Sequence, residues 1–106
     1  MFVVTTDEIP GYRIASVQGH VLGTIVRTLT PGDGFSASFD ALAGGELAVY
    51  SRLMWQNRQE AINRMWAEAE QRGANAVVGL RIDSAPMNEG LAEVTAVGTA
   101  VTIEPA

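Results

Sequence analysis

The chain has 106 residues, a length typical of one domain, so we expect residues 1–106 to form a single domain. Its net charge of −5 argues against a nucleic-acid partner, because phosphate recognition needs a basic surface. All seven basic residues are arginines and there is no cysteine, which excludes lysine Schiff bases, disulfides, thiolate catalysis and thiolate metal sites. Neither a signal peptide nor an apolar run of ~18 residues is recognisable, so we expect a cytoplasmic protein without a membrane partner.

The first part of the chain predicts strands and a loop. Residues 2–6 predict a short strand, and residues 13–28 alternate with period two, which predicts a half-buried strand. One face of the longer strand would carry Ala15, Val17, Val21 and Ile25, and the other Ser16, Gln18, His20 and Thr24. Gly19 and Gly23 predict a bulge or a close backbone approach. Residues 30–45 are rich in glycine and predict a loop.

Residues 46–72 predict a long helix. Apolar residues recur there at steps of three and four: Leu47, Tyr50, Met54, Ala61, Met65 and Ala69, with Ile62 at the edge. Acid and base alternate at steps of four in a second row, formed by Glu60, Arg64, Glu68 and Arg72. Such pairs contribute only a few tenths of a kcal/mol each, so we interpret this row as a solvated face. Gly73 then suits the position after the helix, where a positive φ is common.

The last third predicts two strands, residues 76–83 and 91–103. In the first strand, Ala76, Val78, Leu80 and Ile82 would share one face, opposite Val77, Gly79, Arg81 and Asp83. In the second, a face of small residues would lie opposite Thr95, Val97, Thr99, Val101 and Ile103. The small residues, Ala92, Val94, Ala96, Gly98 and Ala100, suit a helix packed closely against them. The order of elements predicts an α+β fold of two layers, an antiparallel sheet covered by one long helix.

One helix can cover only one face of such a sheet. The other face would expose Val97, Val101 and Ile103, with Val77 beside them. Monomeric proteins rarely expose a contiguous apolar patch larger than a few hundred Å². We therefore expect the chain to form a homo-oligomer.

Four segments resemble one known family, the YbjQ-like proteins of bacteria and archaea, often labelled "putative heavy-metal-binding". These segments are TTDEIPGY, GGELAVYSRLMWQNRQEA, GANAVVGLRID and AVGTAV, at residues 5–12, 44–61, 73–83 and 96–101. They follow the family's order and span nearly the whole chain. The resemblance implies a dodecin-like β-α-β-β subunit that assembles into a ring-shaped homopentamer. It also implies a divalent metal ion as a ligand.

His20 is the one histidine of the chain and the candidate metal ligand. A single imidazole without thiolates makes a poor soft-metal site, because structural zinc takes about four nitrogen or sulfur ligands. A ring of five copies could bring several imidazoles together. The alternatives for His20 are a proton carrier and an ordinary surface or interface residue.

The candidate interface residues lie on the helix and the last strand: Arg58, Trp55, Trp66, Val97 and Val101. Helical phase places Arg58 between Met54 and Ile62, inside the apolar stripe, so we expect it to form an ion pair with a neighbouring subunit. The two tryptophans share one flank of the helix, where they would complete the core or form a contact surface.

Two functions compete. The first is a binding module for a metal ion or a small molecule, and the second is a scaffold whose product is the ring itself. Asp83 and Glu93 could face each other across the last hairpin, but two carboxylates near a turn are more typical of solvated strand ends. Nucleophiles and bases are so few that we expect no enzyme.

Overall fold

The computed structural model describes residues 2–28, 46–86 and 91–106. The loop predicted at residues 30–45 lies outside these ranges. The described elements are β1 (Phe2–Val3), β2 (Tyr12–Thr28), α1 (Glu46–Gln71), β3 (Ala76–Pro86) and β4 (Leu91–Pro105). Each predicted helix and strand is therefore present with bounds close to those expected, except that the first strand, predicted at residues 2–6, spans Phe2–Val3.

The four strands form one sheet in the order β1-β3-β4-β2. β4 pairs antiparallel with β3, as expected for the last hairpin, and also pairs antiparallel with β2. β1 adds a short parallel pairing to β3, which makes the sheet mixed. β1 and β2 lie at opposite edges of the sheet, so the residues between them must cross it. The expected α+β fold of one helix on one sheet is confirmed.

The helix packs on one face of the sheet, mainly over β2 and β4. The predicted face of small residues on β4 is buried beneath it, with Ala96 and Ala100 fully inaccessible. Gly23 in β2 is the point of closest approach: an added Cβ would overlap the carbonyl oxygen of Ala61 and the backbone nitrogen of Met65. The close backbone approach predicted at Gly23 is confirmed. We call this side the covered face and the opposite side the open face.

Two glycine bulges change which residues point to which face. The pairing of β2 with β4 shifts between Val17 and Gly19, where Gly19 has φ of 109°. The prediction that Val17 shares a face with Val21 is therefore wrong, and Val17 is 65% exposed on the open face. Ala15, placed by the same prediction on the buried face, is exposed as well, and it lies at a further register shift, between Ile14 and Ser16.

A second bulge lies in β3, where Gly79 has φ of 65°. The pairing of β3 with β4 shifts between Val78 and Arg81, so the alternation of faces is interrupted there. Val77 and Leu80 both belong to the core under the helix, whereas Val78 points to the open face. The predicted common face of Val78 and Leu80 is wrong, as is the placement of Val77 on the open face.

One end of the open face is covered by the chain itself. Ala76, Val78, Val101 and Ile103 form a second buried cluster, on which Val4 and Ile9 pack. Residues 4–11 therefore act as a lid over this end as they cross from β1 to β2. The expectation that Val101 and Ile103 are exposed is wrong, since their side chains are 0% and 7% accessible.

The segment from Gly73 to Asp83 is a structural joint. Gly73, with φ of 79°, follows the helix as predicted. The side chain of Asn75 then bonds twice to the backbone of Ile103: Nδ2 donates to its carbonyl (3.0 Å), and Oδ1 accepts from its amide (2.7 Å). The amide of Gly79 donates to the carbonyl of Thr6 at 2.8 Å. These bonds join the helix end, the last strand and the N-terminal crossing.

Candidate functional site

His20 lies on the open face of β2, opposite Thr99 of β4, and its side chain is exposed. Its backbone carbonyl accepts a hydrogen bond from Nη1 of Arg72 (2.9 Å), which fixes the strand but leaves the imidazole accessible. Among the described residues, no group of three His, Asp or Glu side chains is close enough to hold a metal ion. The residues of one described subunit therefore do not fit a heavy-metal site.

Asp83 and Glu93 lie on the same face but not directly opposite each other. Asp83 pairs with Thr95, and Glu93 pairs with Ala85, so the two carboxylates are diagonal neighbours. The Thr95 hydroxyl donates to Oε1 of Glu93 (3.1 Å) and lies 3.2 Å from the Thr24 hydroxyl. This arrangement is a polar row across the strands.

Four apolar side chains of β2 project from the open face, and we call them the β2 stripe. They are Ile14, Val17, Leu22 and Val26, with exposed fractions of 43%, 65%, 46% and 53%. Val97 of β4 lies opposite Leu22 and is partly exposed. His20 lies between Val17 and Leu22, so the candidate ligand is embedded in the stripe.

The outer edge of β2 is covered by the charged row of the helix. Arg72 donates to the carbonyl of His20 (2.9 Å), and Arg64 donates to the carbonyl of Thr24 (2.9 Å). Between them, Glu68 lies 3.5 Å from the amide of Leu22, which points toward it. The interpretation of this row as only a solvated face is wrong.

The rise per residue of a helix and of a strand explains why the charged row of the helix fits the outer edge of β2. Four residues of helix advance about 6 Å, and two residues of strand advance about 6.6 Å. Successive members of the charged row therefore meet successive outward backbone groups of β2. Covering an edge in this way protects it from pairing with another chain. The four-residue period was the sequence signal for this role, but the sequence alone did not show which strand lay beside it.

The predicted interface residues have different environments. Trp55 is 61% exposed, whereas Trp66 is partly buried against the core. Arg58 is exposed, and the neighbouring Asn57 takes the buried position at 2% exposure. The placement of Arg58 inside the apolar stripe is therefore wrong by one residue. Its role at an interface stays a prediction, as do the roles of the tryptophans and Val97.

Val101, also predicted at the interface, is fully buried within the chain. Val4 and Ile9 pack over its cluster, so it presents no surface to a partner in this conformation. Any effect of Val101 on assembly would act through the residues that cover it.

A cleft of about 360 Å³ opens where the helix ends, and three aromatic side chains line it. The rings of Phe2 and Tyr12 have centroids 5.2 Å apart and planes inclined by 57°. Trp66 and the Glu70 carboxylate come from the last turns of the helix. We call this the aromatic cleft. Sequence reasoning missed it, because its residues meet only through the parallel pairing of β1 and the crossing of residues 4–11.

A second cleft of about 460 Å³ shares Tyr12 and Ile103 with the aromatic cleft. The turn at residues 8–11 forms one wall, and Val78 and Ile14 contribute apolar surface. Its arginine, Arg13, is paired with Glu104. Within the described ranges, the helix lacks an apolar stretch of the length that a bilayer crossing requires.

Comparison with known proteins gives a consistent result. A family model described as "Putative heavy-metal-binding" matches residues 1–104. A UPF0145 protein of Mycobacteroides abscessus is 48% identical over 105 residues, covering 99% of this chain and 98% of that protein. A UPF0145 protein of Thermosipho melanesiensis is 44% identical over 105 residues, covering 99% and 97%.

A crystal structure from Pediococcus pentosaceus, described as a protein of unknown function in the DUF74 family, has the same fold. It is 19% identical with a TM-score of 0.63, and the match covers 98% of each chain. The names of these relatives state no activity. From the match over residues 1–104 and the identity to the UPF0145 proteins, the chain belongs to the YbjQ-like family.

Proposed function

We propose that the chain is a homo-oligomeric binding module whose subunits meet through the β2 stripe and whose ligands bind between copies. The observation that carries this proposal is the stripe itself, a row of apolar side chains on the long edge strand that no described residue covers. The resemblance to the YbjQ-like family implies a ring-shaped homopentamer, which is therefore the expected assembly.

The remaining surfaces of the sheet are less suited to a partner. The helix occupies the covered face, and Val4 and Ile9 cover one end of the open face. The charged row covers the outer edge of β2 around His20 and Thr24. Among the described residues, the β2 stripe on the open face is therefore the surface of the sheet best suited to contact another subunit.

The dimensions of the chain also favour partners. Its Cα atoms span 54 × 23 × 17 Å with a radius of gyration of 17.1 Å. A compact chain of this length would have a radius of gyration of about 13 Å. An elongated subunit has more surface per unit of core, and association recovers part of the lost burial.

In this proposal, metal binding requires several copies of His20. One subunit supplies one imidazole, and zinc takes about four ligands. Because His20 lies within the stripe, contact through the stripe would bring imidazoles of neighbouring subunits toward each other. A pure scaffold without metal is the second candidate, and the lack of a three-ligand group among the described residues favours it.

Light scattering on Leu22→Glu tests the assembly. A carboxylate in the stripe would be desolvated on association, so the mass should fall from about five times 11.3 kDa to that of one chain, with unchanged far-UV circular dichroism. Gln59→Glu, on the exposed face of the helix, adds the same charge and should keep the assembly. A monomeric parent chain would refute the oligomer, and an assembled Leu22→Glu would refute the stripe as the contact.

Native mass spectrometry with and without Zn²⁺ tests the ligand. Uptake should be absent in His20→Ala and retained in Thr99→Ala, the neighbouring position on β4. Tight stoichiometric uptake that survives His20→Ala would refute His20 as the key ligand. An assembled chain that takes up no zinc would support the scaffold.

A further inference from the structure

We propose that the aromatic cleft binds a small organic cation of the quaternary or alkylated ammonium class. The site is separate from His20 and from the β2 stripe, and it lies within one chain. It therefore goes beyond the proposed assembly and does not depend on it.

The first observation is the concentration of aromatic rings. The structure describes the side chains of four aromatic residues, and three of them, Phe2, Tyr12 and Trp66, line this one cleft. Phe2 and Tyr12 are inclined rather than stacked, so both keep part of their surface open, with exposed fractions of 37% and 40%. Ring faces carry negative partial charge and attract cations, and groups of rings recognise quaternary ammonium ions in this way.

The second observation is the sign of the charge. Glu70 is the one carboxylate of the described lining, which contains no arginine and no histidine. The nearby arginines on the same elements are already paired, Arg13 with Glu104 and Arg72 with Glu68. A cation in the cleft would therefore meet a carboxylate and no competing positive charge from the lining.

The position of Glu70 has no evident benefit for folding. It lies in the last turn of α1, which contains no basic residue, and the C-terminal end of a helix carries partial negative charge. An acid there is mildly destabilising by itself. A bound cation would offset both the carboxylate and the helix dipole.

The third observation is the apolar character of the buried residues that line the aromatic cleft. Ala74 and Ile103 form apolar surface there, each less than a tenth exposed. Ile103 engages one N–H and the oxygen of the Asn75 side-chain amide, so this amide keeps a single N–H for an anion. Methylated ammonium groups need no hydrogen-bond acceptor and match apolar and aromatic walls. A phosphate or a sugar would find few partners.

The experiment uses the full chain carrying Trp55→Phe, which leaves Trp66 as the sole tryptophan. Trp55 does not line the cleft, so its replacement leaves the site intact. Trp66 fluorescence is titrated with choline and, separately, with 3,3-dimethyl-1-butanol, the neutral molecule of the same shape. Choline should bind about tenfold more tightly, because the attraction of the rings and of Glu70 acts on the charge alone.

Variants made in the Trp55→Phe chain show which residues cause the preference for choline. Glu70→Gln should lower choline affinity about fivefold and leave the neutral alcohol unchanged. Asp83→Asn is the matched control, since Asp83 is an exposed acid on β3 that does not line the cleft. Tyr12→Leu should abolish the preference for choline, whereas Tyr12→Phe should retain it, with far-UV circular dichroism confirming the fold of each.

Equal affinity for the two probes, or no saturable response to either, would overturn this inference. So would a Glu70→Gln chain that behaves as its parent. Light scattering on the same samples separates the outcomes: a monomeric chain that still prefers choline refutes the assembly and keeps the cation site. An assembled chain that does not prefer choline refutes the cation site and keeps the assembly.

Discussion

The covered face and the open face of the sheet are built from the same three long strands. On the covered face, Gly23 lets the helix backbone come into contact with β2, and small residues of β4 such as Ala96, Ala100 and Gly98 are buried. On the open face, the described residues that cover the larger side chains are Val4 and Ile9, at one end. The fold therefore depends on close approach on one side and on a short lid on the other.

The difference matters for function. Around Gly23 the covered face has no room for a ligand, because even one added carbon there would overlap the helix backbone. The open face keeps exposed apolar side chains, an exposed histidine and a polar row. Function is therefore expected on the open face and at the helix end, where the chain leaves surfaces uncovered.

Gly23→Ala should have the largest effect on stability. The new methyl group would overlap backbone atoms of Ala61 and Met65, which cannot rotate away, so the free energy of unfolding should fall by about 3 kcal/mol. Urea unfolding followed by circular dichroism at fixed protein concentration measures this. Thr24→Ala, one residue along on the open face, should cost about 1 kcal/mol or less. Similar costs for both variants would contradict the contrast between the faces.

How far the sequence predicts these faces depends on three register shifts, two in β2 and one in β3. Beyond Gly19, simple alternation placed Val21 and Ile25 correctly, because that part of β2 pairs without interruption. It failed for Val17, which precedes the bulge. A glycine can be recognised in a sequence, but whether it shifts the register depends on its partner strand. For the same reason, the faces predicted for Val77 and Val78, next to the bulge in β3, were exchanged.

Asn75→Ala should have the next largest effect. It removes both bonds to Ile103 and leaves an amide and a carbonyl of β4 without partners, which should cost about 2 kcal/mol. Asn75→Asp sharpens the test, because its carboxylate still accepts from the Ile103 amide but cannot donate to the carbonyl. We expect it to lie between the parent and Asn75→Ala in urea unfolding. If Asn75→Ala is as stable as the parent in urea unfolding, the helix end is held by packing alone.

Ile9→Ala tests the lid over the open face. Ile9 is only partly buried on the second cluster, so its truncation should lower the free energy of unfolding by about 1 kcal/mol. Glu8→Ala, an exposed neighbour, should stay within about 0.5 kcal/mol of the parent. If both variants match the parent, the lid contributes nothing and the second cluster is stable without it.

The candidate sites show a similar division between what the sequence does and does not reveal. His20 could be singled out because it is the only histidine. The aromatic cleft could not, because Phe2, Tyr12 and Trp66 are distant in sequence and meet through the crossing of residues 4–11. The predicted helix phase was also wrong by one residue, so the buried position assigned to Arg58 belongs to Asn57. A polar residue can occupy a buried position, and apolar spacing does not reveal this in advance.

Arg58→Ala should have the smallest effect on the subunit itself. Arg58 is exposed, so its removal should change the free energy of unfolding of the chain by no more than about 0.5 kcal/mol. Association between subunits should weaken by at most about 1 kcal/mol if its acidic partner is also exposed. A dilution series by light scattering measures this, with Gln59→Ala as the control for truncating an exposed residue of the same helix. A loss of ~3–5 kcal/mol in association would show instead that the ring buries Arg58 in an ion pair, because removing one partner leaves the other charge desolvated. In that case the flank of the helix, and not only the open face, would belong to the subunit contact.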